Sequence, residues 1–127
     1  MEWVIQESTR LAKVKIKLYG TYIGKDFFLV LSGGEQEHIG CIVQSYPRPS
    51  LKDVQKMSAT SSILNVIGHK DEFICRYVSE TFCVALKTMI VCTGGVHIEK
   101  ATEYEIQEIV DGIKKWIPKV IEQMKRA

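Results

Sequence analysis

Residues 11–34, LAKVKIKLYGTYIGKDFFLVLSGG, decide the fold because they contain two strand patterns separated by a turn. Between positions 14 and 18, apolar residues alternate with lysines. This period of two predicts a strand with one face in water. Residues 24–26 read as a turn, and the apolar run that follows predicts a buried strand. The short spacing indicates that the two strands form a hairpin.

Further strand patterns lie on both sides of this hairpin. The runs HIGCIVQSY at 38–46 and MSATSSILNVIG at 57–68 each predict a strand. The run TMIVCTGGVHI at 88–98 predicts a short apolar strand that ends at its glycine pair. Val4 and Ile5 indicate one more strand near the N-terminus. The first half of the chain is therefore rich in strands.

Two segments have the periodicity of amphipathic helices. Apolar residues at helical spacing predict a helix over about 70–87. A second apolar stripe predicts a long C-terminal helix that begins with a capping box from Thr102 to Glu105, and Pro118 predicts a kink in it. The order of elements indicates an α+β fold: a mostly antiparallel sheet with two amphipathic helices packed on one face. We expect residues 1–127 to form a single domain.

The composition excludes several classes of protein. The chain has 127 residues, of which 46% are hydrophobic and 25% charged, as in globular proteins that bury a core. A net charge of +2 without a basic aromatic stripe does not favour nucleic-acid binding. No apolar run reaches the ~20 residues that span a bilayer, and the first ten residues lack a signal-peptide pattern. We therefore expect a cytoplasmic protein with no nucleic-acid partner and no membrane partner.

The cysteine pattern favours neither a disulfide framework nor a metal site. No CxxC pair occurs, and the spacings match no metal-binding motif. We expect reduced and mostly buried thiols. The four cysteines are Cys41, Cys75, Cys83 and Cys92.

The segment Tyr46-Pro47-Arg48-Pro49-Ser50 raises the first question about function. Each proline fixes its own φ and restricts the residue before it, so the segment should be a stiff, extended or turning loop. An arginine held in this way loses less entropy when it binds an anion or a partner. It could equally meet only solvent or a nearby carboxylate.

Three other segments have both a functional and a structural interpretation. Residues 68–71, Gly-His-Lys-Asp, precede a helix whose N-terminus could bind an anion, or they form a plain turn. Gly95 and His97 follow the last strand, where glycine permits close approach to a ligand. His38 and His97 are candidate ligands, although a lone histidine is more often structural, and no metal spacing supports them. The Ser/Thr run at 58–62 could line a pocket or form a sheet edge.

Several motifs resemble one known family. HIGCIVQSYPRPSLKD, KMSATSSILNVIGHKDE and GGVHIEKATEYEI occur in this order within residues 38–106. They are similar to the prenylated-flavin chaperone LpdD-like family, the small D subunits of gallate- and vanillate-type decarboxylases. The run before Pro47 is more polar here than the family pattern. The shared positions are His38, Gly40, Pro47, Arg48, Pro49, Ser50, Lys52, Asp53, Ser58, Thr60, Gly68, His69, Lys70, Gly95 and His97.

The resemblance implies a fold, a cofactor and a partner. The fold is that of proteasome-assembly chaperones, which commonly form dimers. The function is that of an accessory protein, not an enzyme, that helps to load or mature prenylated FMN in a UbiD-class aromatic acid decarboxylase. We predict transient binding of prenylated FMN or FMN, with an anion site at Arg48, His69 and Lys70. The predicted cofactor-binding residues are Arg48, Ser50, Lys52, Thr60, Gly68, His69, Lys70, Gly95 and His97.

Two alternatives stay open at this point. The chain could be a protein-interaction or assembly module without a small ligand, either as a homodimer or as a decarboxylase subunit. It could also be an enzyme, although no nucleophile–base pair or metal set stands out in the sequence. Neither catalytic nor metal-binding residues are predicted.

Overall fold

A computed structural model describes residues 2–66 and 71–127 of the chain. These residues form an α+β domain, which confirms the predicted fold class. The elements are β1 (Ile5–Leu11), β2 (Val14–Ile23), β3 (Asp26–Gly34), β4 (Cys41–Pro49), β5 (Met57–Asn65), α1 (Asp71–Leu86), β6 (Ile90–His97) and α2 (Glu103–Arg126).

The strands form one mixed sheet in the order β1-β2-β3-β6-β4-β5. Neighbouring strands are antiparallel except β3 and β6, which run parallel. Strand β6 returns to the sheet after α1 and enters between β3 and β4, and a parallel neighbour requires a long connection of this kind. The predicted hairpin is confirmed: β2 and β3 pair up to Ile23 and Asp26.

Two strand ends differ from the sequence prediction. Strand β4 continues through Pro47 and Pro49 while pairing with β5, where the sequence suggested a loop after the strand. Proline is tolerated in strands where its missing amide faces an open edge, and β6 borders β4 only up to Ser45. Strand β6 continues through its glycine pair to His97.

The helices agree closely with the prediction. Helix α1 begins at Asp71 and ends at Leu86. Helix α2 has the predicted capping box: the Thr102 hydroxyl accepts from the Glu105 amide, and the Glu105 carboxylate accepts from the Thr102 amide. Helix α2 continues past Pro118 to Arg126, and the kink stays a prediction.

Both helices pack on the same face of the sheet. The Phe82 ring of α1 stacks on the Phe27 ring of β3, with centroids 6.0 Å apart. Gly112 of α2 lies against Leu11 of β1, which by strand alternation and register belongs to the same face. Phe27 and Phe82 are almost fully buried, and burying one such side chain stabilises the fold by about 1.5–3 kcal/mol.

The opposite face of the sheet carries no helix among the described residues. The Trp3 ring lies 5.5 Å from the Tyr19 ring and 6.4 Å from the Phe28 ring on this face. Ile42 and Leu64, paired across β4 and β5, are exposed on the same side. We call this surface the open sheet face.

Candidate functional site

A pocket of about 410 Å³ lies where β6 and the loop before β4 meet the beginnings of α1 and α2. Its floor is apolar, and its rim carries imidazole and ammonium groups. Its volume falls in the range of about 300–1,000 Å³ that is typical of ligand pockets. The residues that line it are His38, Asp71, Ile74, Val96, His97, Ile98, Lys100, Ala101, Ile106 and Ile109.

A histidine–aspartate pair forms the polar centre of the pocket. The Nε2 atom of His38 lies 3.0 Å from Oδ2 of Asp71, the first residue of α1. The other carboxylate oxygen of Asp71 accepts a 2.9 Å hydrogen bond from the Val96 amide of β6. Asp71 is only 5% exposed. The other ring nitrogen, Nδ1, lies 3.3 Å from the Gln36 carbonyl oxygen, so contacts at both nitrogens hold the His38 ring in place.

Two glycines make room for this pair. A Cβ atom at Gly40 would overlap Oδ2 of Asp71, and one at Gly95 would lie 2.8 Å from Nε2 of His38 and 2.9 Å from Oδ2 of Asp71. Any larger residue at either position would push the carboxylate or the ring away. Gly40 and Gly95 are far apart in the chain, but both leave space for the pair formed by His38 and Asp71.

The rim of the pocket continues from His38 to His97 and Lys100. The two imidazole rings meet edge to face, with centroids 6.2 Å apart. Lys100 lies on the loop between β6 and α2 and is exposed. His97 and Lys100 can donate hydrogen bonds to an anion or a polar ring edge. Ile98, Ile106 and Ile109 below them can contact an apolar group. The described lining includes no serine, threonine or cysteine nucleophile.

The predicted cofactor-binding residues fall into separate places. Gly95 and His97 belong to the pocket end of the sheet. Gly68, His69 and Lys70 lie outside the described residues. The remaining four, Arg48, Ser50, Lys52 and Thr60, lie on the paired ends of β4 and β5 and the loop between them. We call residues 46–60 the arm.

The register of the sheet separates the arm from the pocket. Cys41 of β4 lies opposite Gly94 of β6, at the pocket end. Arg48 is seven residues further along β4, a distance of about 23 Å at ~3.3 Å per residue. The single site that would contain both Arg48 and His97 is therefore not formed within one chain. The motifs suggested one site because they occur in the same family, whereas β4 carries Arg48 away from β6.

Arg48 itself is held by its own hairpin. Its Nε donates to the Thr60 hydroxyl at 2.5 Å, and its Nη1 donates to the Pro49 carbonyl at 3.0 Å. On β5, Thr60 pairs with Tyr46 of β4, two pairs along the ladder from Ser58, which is the partner of Arg48. The guanidinium is thus oriented along the arm, with further donors available to a partner.

The Ser/Thr run of β5 contributes to a polar network under α1. The hydroxyl of Ser45 lies 2.7 Å from the hydroxyls of both Ser61 and Ser79, and Ser61 donates to Glu80 at 2.6 Å. Ser45 and Ser79 are fully buried. The unexpectedly polar segment before Pro47 is explained in part by this network, since buried hydroxyls need partners.

In the sequence, His38 was a candidate ligand, although a lone histidine is more often structural, and Asp71 suited either a ligand site or a turn. Neither was among the predicted cofactor-binding residues. The usable signal was the repeated pairing of a glycine with a polar residue in three separate motifs: His38 with Gly40, Gly68 with Asp71, and Gly95 with His97. The apolar floor gave no signal, because its isoleucines also fit the stripes of α1 and α2.

The four cysteines are free and buried, which confirms the predicted burial. Hydrogen bonding to Cys75 and burial raise the pKa of the Cys41 thiol, and burial raises the pKa of Cys83 to about 11. Both thiols therefore stay protonated at neutral pH and are poor nucleophiles.

In the described part of the chain, no cluster of His, Cys, Asp or Glu could hold a metal ion. No helix within residues 2–66 and 71–127 has the length and apolarity to span a membrane.

Comparisons with known proteins give a family and a fold. A family model described as "Prenylated flavin chaperone LpdD-like domain" matches residues 10–125. A search of curated proteins finds no match. Among solved structures, the chain is similar to one from "Crystal Structure of a Novel Chaperone Complex for Yeast 20S Proteasome Assembly", with 9% identity and a TM-score of 0.57. The similarity covers 98% of this chain and 95% of the other. At this identity the likeness concerns the fold alone.

Proposed function

Because the chain belongs to the family of prenylated flavin chaperone LpdD-like domains, we propose that it helps to load or mature prenylated FMN in a UbiD-class aromatic acid decarboxylase. In this role it acts in the cytoplasm, binds the flavin transiently and catalyses no decarboxylation itself. The observation that carries the proposal is the pocket at His38 and Asp71, which combines an apolar floor with a polar, cationic rim.

The lining of the pocket suits the chemistry of a prenylated flavin. The prenyl-derived part of such a cofactor is apolar and fits against Ile98, Ile106 and Ile109. The phosphate and the polar edge of the ring system need donors, which His97 and Lys100 provide at the rim. Grouping these contacts in one cleft is what a carrier of an amphipathic cofactor requires.

The buried aspartate prepares the rim for binding. Asp71 holds the His38 ring in one orientation through a 3.0 Å hydrogen bond, and the Val96 amide holds Asp71 in turn. A ring fixed before binding loses little conformational entropy when the ligand arrives. The pair supports ligand binding without implying proton-transfer chemistry.

Titration of the purified chain with FMN and with prenylated FMN tests this proposal. We expect His97→Ala and Lys100→Ala each to weaken binding, and the double variant to weaken it by about tenfold or more, since charge-assisted hydrogen bonds contribute about 1.5–3 kcal/mol. Arg48→Ala is the control, because Arg48 lies at the other end of β4. If Arg48→Ala alone weakens binding, the flavin phosphate binds at the arm. If the wild-type chain binds neither flavin, the proposal is wrong.

The open sheet face supports a second candidate function, that of an assembly module. Trp3, Tyr19 and Phe28 form an aromatic cluster on this face, Ile42 and Leu64 are exposed further along it, and no helix of the described residues covers them. Apolar surfaces of this kind are typical of protein contacts, so a second copy of the chain could pair there to give a homodimer. A decarboxylase subunit could occupy the same face.

The oligomeric state tests the second candidate. Sedimentation equilibrium should give a dimer mass that shifts towards the monomer in Leu64→Ser. Leu64 is 71% exposed, so its replacement spares the core. Tyr104→Ser is the matched control, because Tyr104 is 78% exposed and lies on α2. A wild-type chain that stays monomeric at high micromolar concentration excludes pairing through this face.

A further inference from the structure

The arm extends beyond the rest of the sheet. Strand β6 borders β4 only as far as Ser45, whereas β4 and β5 remain paired as far as Pro49 and Met57. A hairpin of two strands has little stability on its own in water. Its tip is therefore expected to be irregular unless local interactions hold it in one conformation.

Four hydrogen bonds hold the tip in one conformation. The Ser50 amide donates to the Lys56 carbonyl at 2.8 Å, and the Lys56 amide donates to the Asp53 carbonyl at 3.0 Å. The Asp53 carboxylate accepts from the Gln55 amide at 3.0 Å, and the Ser50 hydroxyl accepts from the Lys52 amide at 3.2 Å. The tip is therefore preorganised, which lowers the entropy lost on binding.

Apolar side chains stand exposed on this ordered tip. Leu51 is 90% exposed and Val54 78% exposed. Among the described large hydrophobic residues, Leu51 is the most exposed. Single exposed apolar residues are ordinary, but these two lie three positions apart on one ordered tip, and we call Leu51 and Val54 the knob. Such a knob contributes binding energy when it enters an apolar hollow on a partner.

The prolines indicate how the arm makes contact. Strand addition needs a row of free backbone donors and acceptors at an edge. Pro47 and Pro49 remove the donors from the β4 edge that extends beyond β6. Strand addition at this β4 edge is therefore disfavoured, whereas the exposed side chains at the tip are available for contact.

The charges near Leu51 and Val54 indicate the chemistry of the surface that would bind them. Arg48, Lys52 and Lys56 stand against one carboxylate, Asp53, which gives residues 48–56 a net charge of +2. Within residues 2–66 and 71–127, none of the three cations forms an ion pair. A complementary surface would be an apolar hollow with carboxylates around it.

We propose that the tip of the arm docks the chain onto its decarboxylase partner by inserting Leu51 and Val54 into an acid-rimmed apolar hollow. This inference rests on the proposed function for the identity of the partner. The tip lies about 26 Å from the pocket, counted along β4 from Cys41 to Pro49 at ~3.3 Å per residue. Docking through the arm therefore leaves the pocket open to the flavin.

Calorimetric titration of a purified, cofactor-free UbiD-class decarboxylase with the chain tests the proposal. We expect the double variant Leu51→Ser/Val54→Ser to bind at least about tenfold more weakly than wild type, as at interface hot spots. Lys52→Glu/Lys56→Glu should also weaken binding and should reduce its dependence on salt. Tyr104→Ser is the control, since Tyr104 is as exposed as Val54 but lies on α2.

Each outcome separates the docking proposal from the proposed function. Flavin titration of Leu51→Ser/Val54→Ser should match wild type, because the pocket is remote from the tip. Equal decarboxylase binding by wild type and both arm variants overturns the docking proposal. So does no binding by wild type, or a self-association that the arm variants abolish. If the arm variants lose the decarboxylase while wild type binds no flavin, docking stands and the flavin-loading function fails.

Discussion

The two ends of the sheet are built in different ways. At the pocket end, His38, Asp71 and Val96 come from three segments, and a buried carboxylate joins them. At the arm end, the ordering contacts join residues within 46–60. The first end depends on the whole fold, whereas the second depends on local sequence. The comparison predicts that equivalent substitutions have large effects at the pocket and small effects on the arm.

Two aspartates provide the sharpest contrast. Asp71 and Asp53 each accept a backbone amide hydrogen bond, at 2.9 and 3.0 Å, but Asp71 is buried and Asp53 exposed. We expect Asp71→Ala to lower the free energy of unfolding by about 2–4 kcal/mol, because it leaves the Val96 amide and the partly buried His38 ring without their partner. Asp53→Ala should cost less than about 1 kcal/mol. Urea unfolding of both variants measures the difference, and equal costs would contradict the comparison.

Gly40→Ala tests the packing around the same carboxylate. The new methyl group would overlap Oδ2 of Asp71, so the carboxylate must leave the His38 ring or the backbone must shift. We expect a loss of about 1–3 kcal/mol, within the range for overpacked sites. Thermal unfolding measures it. Ser58→Ala on β5 of the arm is the control and should change the stability little; a similar loss there would show that the pocket end is not special.

The N-terminal cap of α2 lies beside the pocket and should have an intermediate effect. Replacing Thr102 by alanine removes the side-chain oxygen that accepts from the Glu105 amide at 3.1 Å. The expected loss is about 1 kcal/mol in urea unfolding. Thr102→Ser keeps the acceptor and should keep most of the stability. If serine were as damaging as alanine, the methyl group and not the hydrogen bond would matter.

The same cap gives a pH dependence. The hydrogen bond from the Thr102 amide lowers the pKa of Glu105, with a smaller contribution from Lys13. An acid whose pKa is lowered by folding stabilises the native state above its ordinary pKa, near 4.3, and loses this effect as the pH falls through the folded-state value. The stability difference between wild type and Glu105→Gln should therefore be present at pH 7 and shrink below about pH 4. A difference that does not change with pH would rule out this contribution.

The smallest effect is expected from Pro49→Ala on the arm. Pro49 is exposed, and β6 no longer borders β4 at this point. Removing the ring frees the unfolded chain more than it harms the native contacts, so the loss should stay below about 1 kcal/mol. Chemical unfolding gives the value. A loss as large as that of Asp71→Ala would mean that the arm is part of the cooperative core.

The elements themselves could be predicted because their signals are local. The alternation at 14–18 predicted β2, and the Thr102–Glu105 pattern predicted the start of α2, since each depends on residues only a few positions apart. The course of β4 through Pro47 and Pro49 could not be predicted. Proline is compatible with an edge strand and with a loop, and only the absence of β6 beyond Ser45 decides between them.

The site was predictable only in fragments. The sequence singled out Gly95 and His97, but it joined them to Arg48 because the motifs belong to one family. The placement of β6 between β3 and β4 decides otherwise, since it puts Gly94 opposite Cys41, at the far end of β4 from Arg48. Strand order depends on contacts between distant segments, which periodicity does not record.

The sequence by itself determined the α+β class, the strands and helices and the stiff segment around Arg48, because short-range periodicity and proline geometry specify them. Only the tertiary structure decided that His38 and Asp71 meet under Gly40 and Gly95. The tertiary structure also decided that the arm extends beyond β6, which borders β4 only up to Ser45. Both outcomes follow from strand order and register, which are selected by the packing of the whole sheet against its helices.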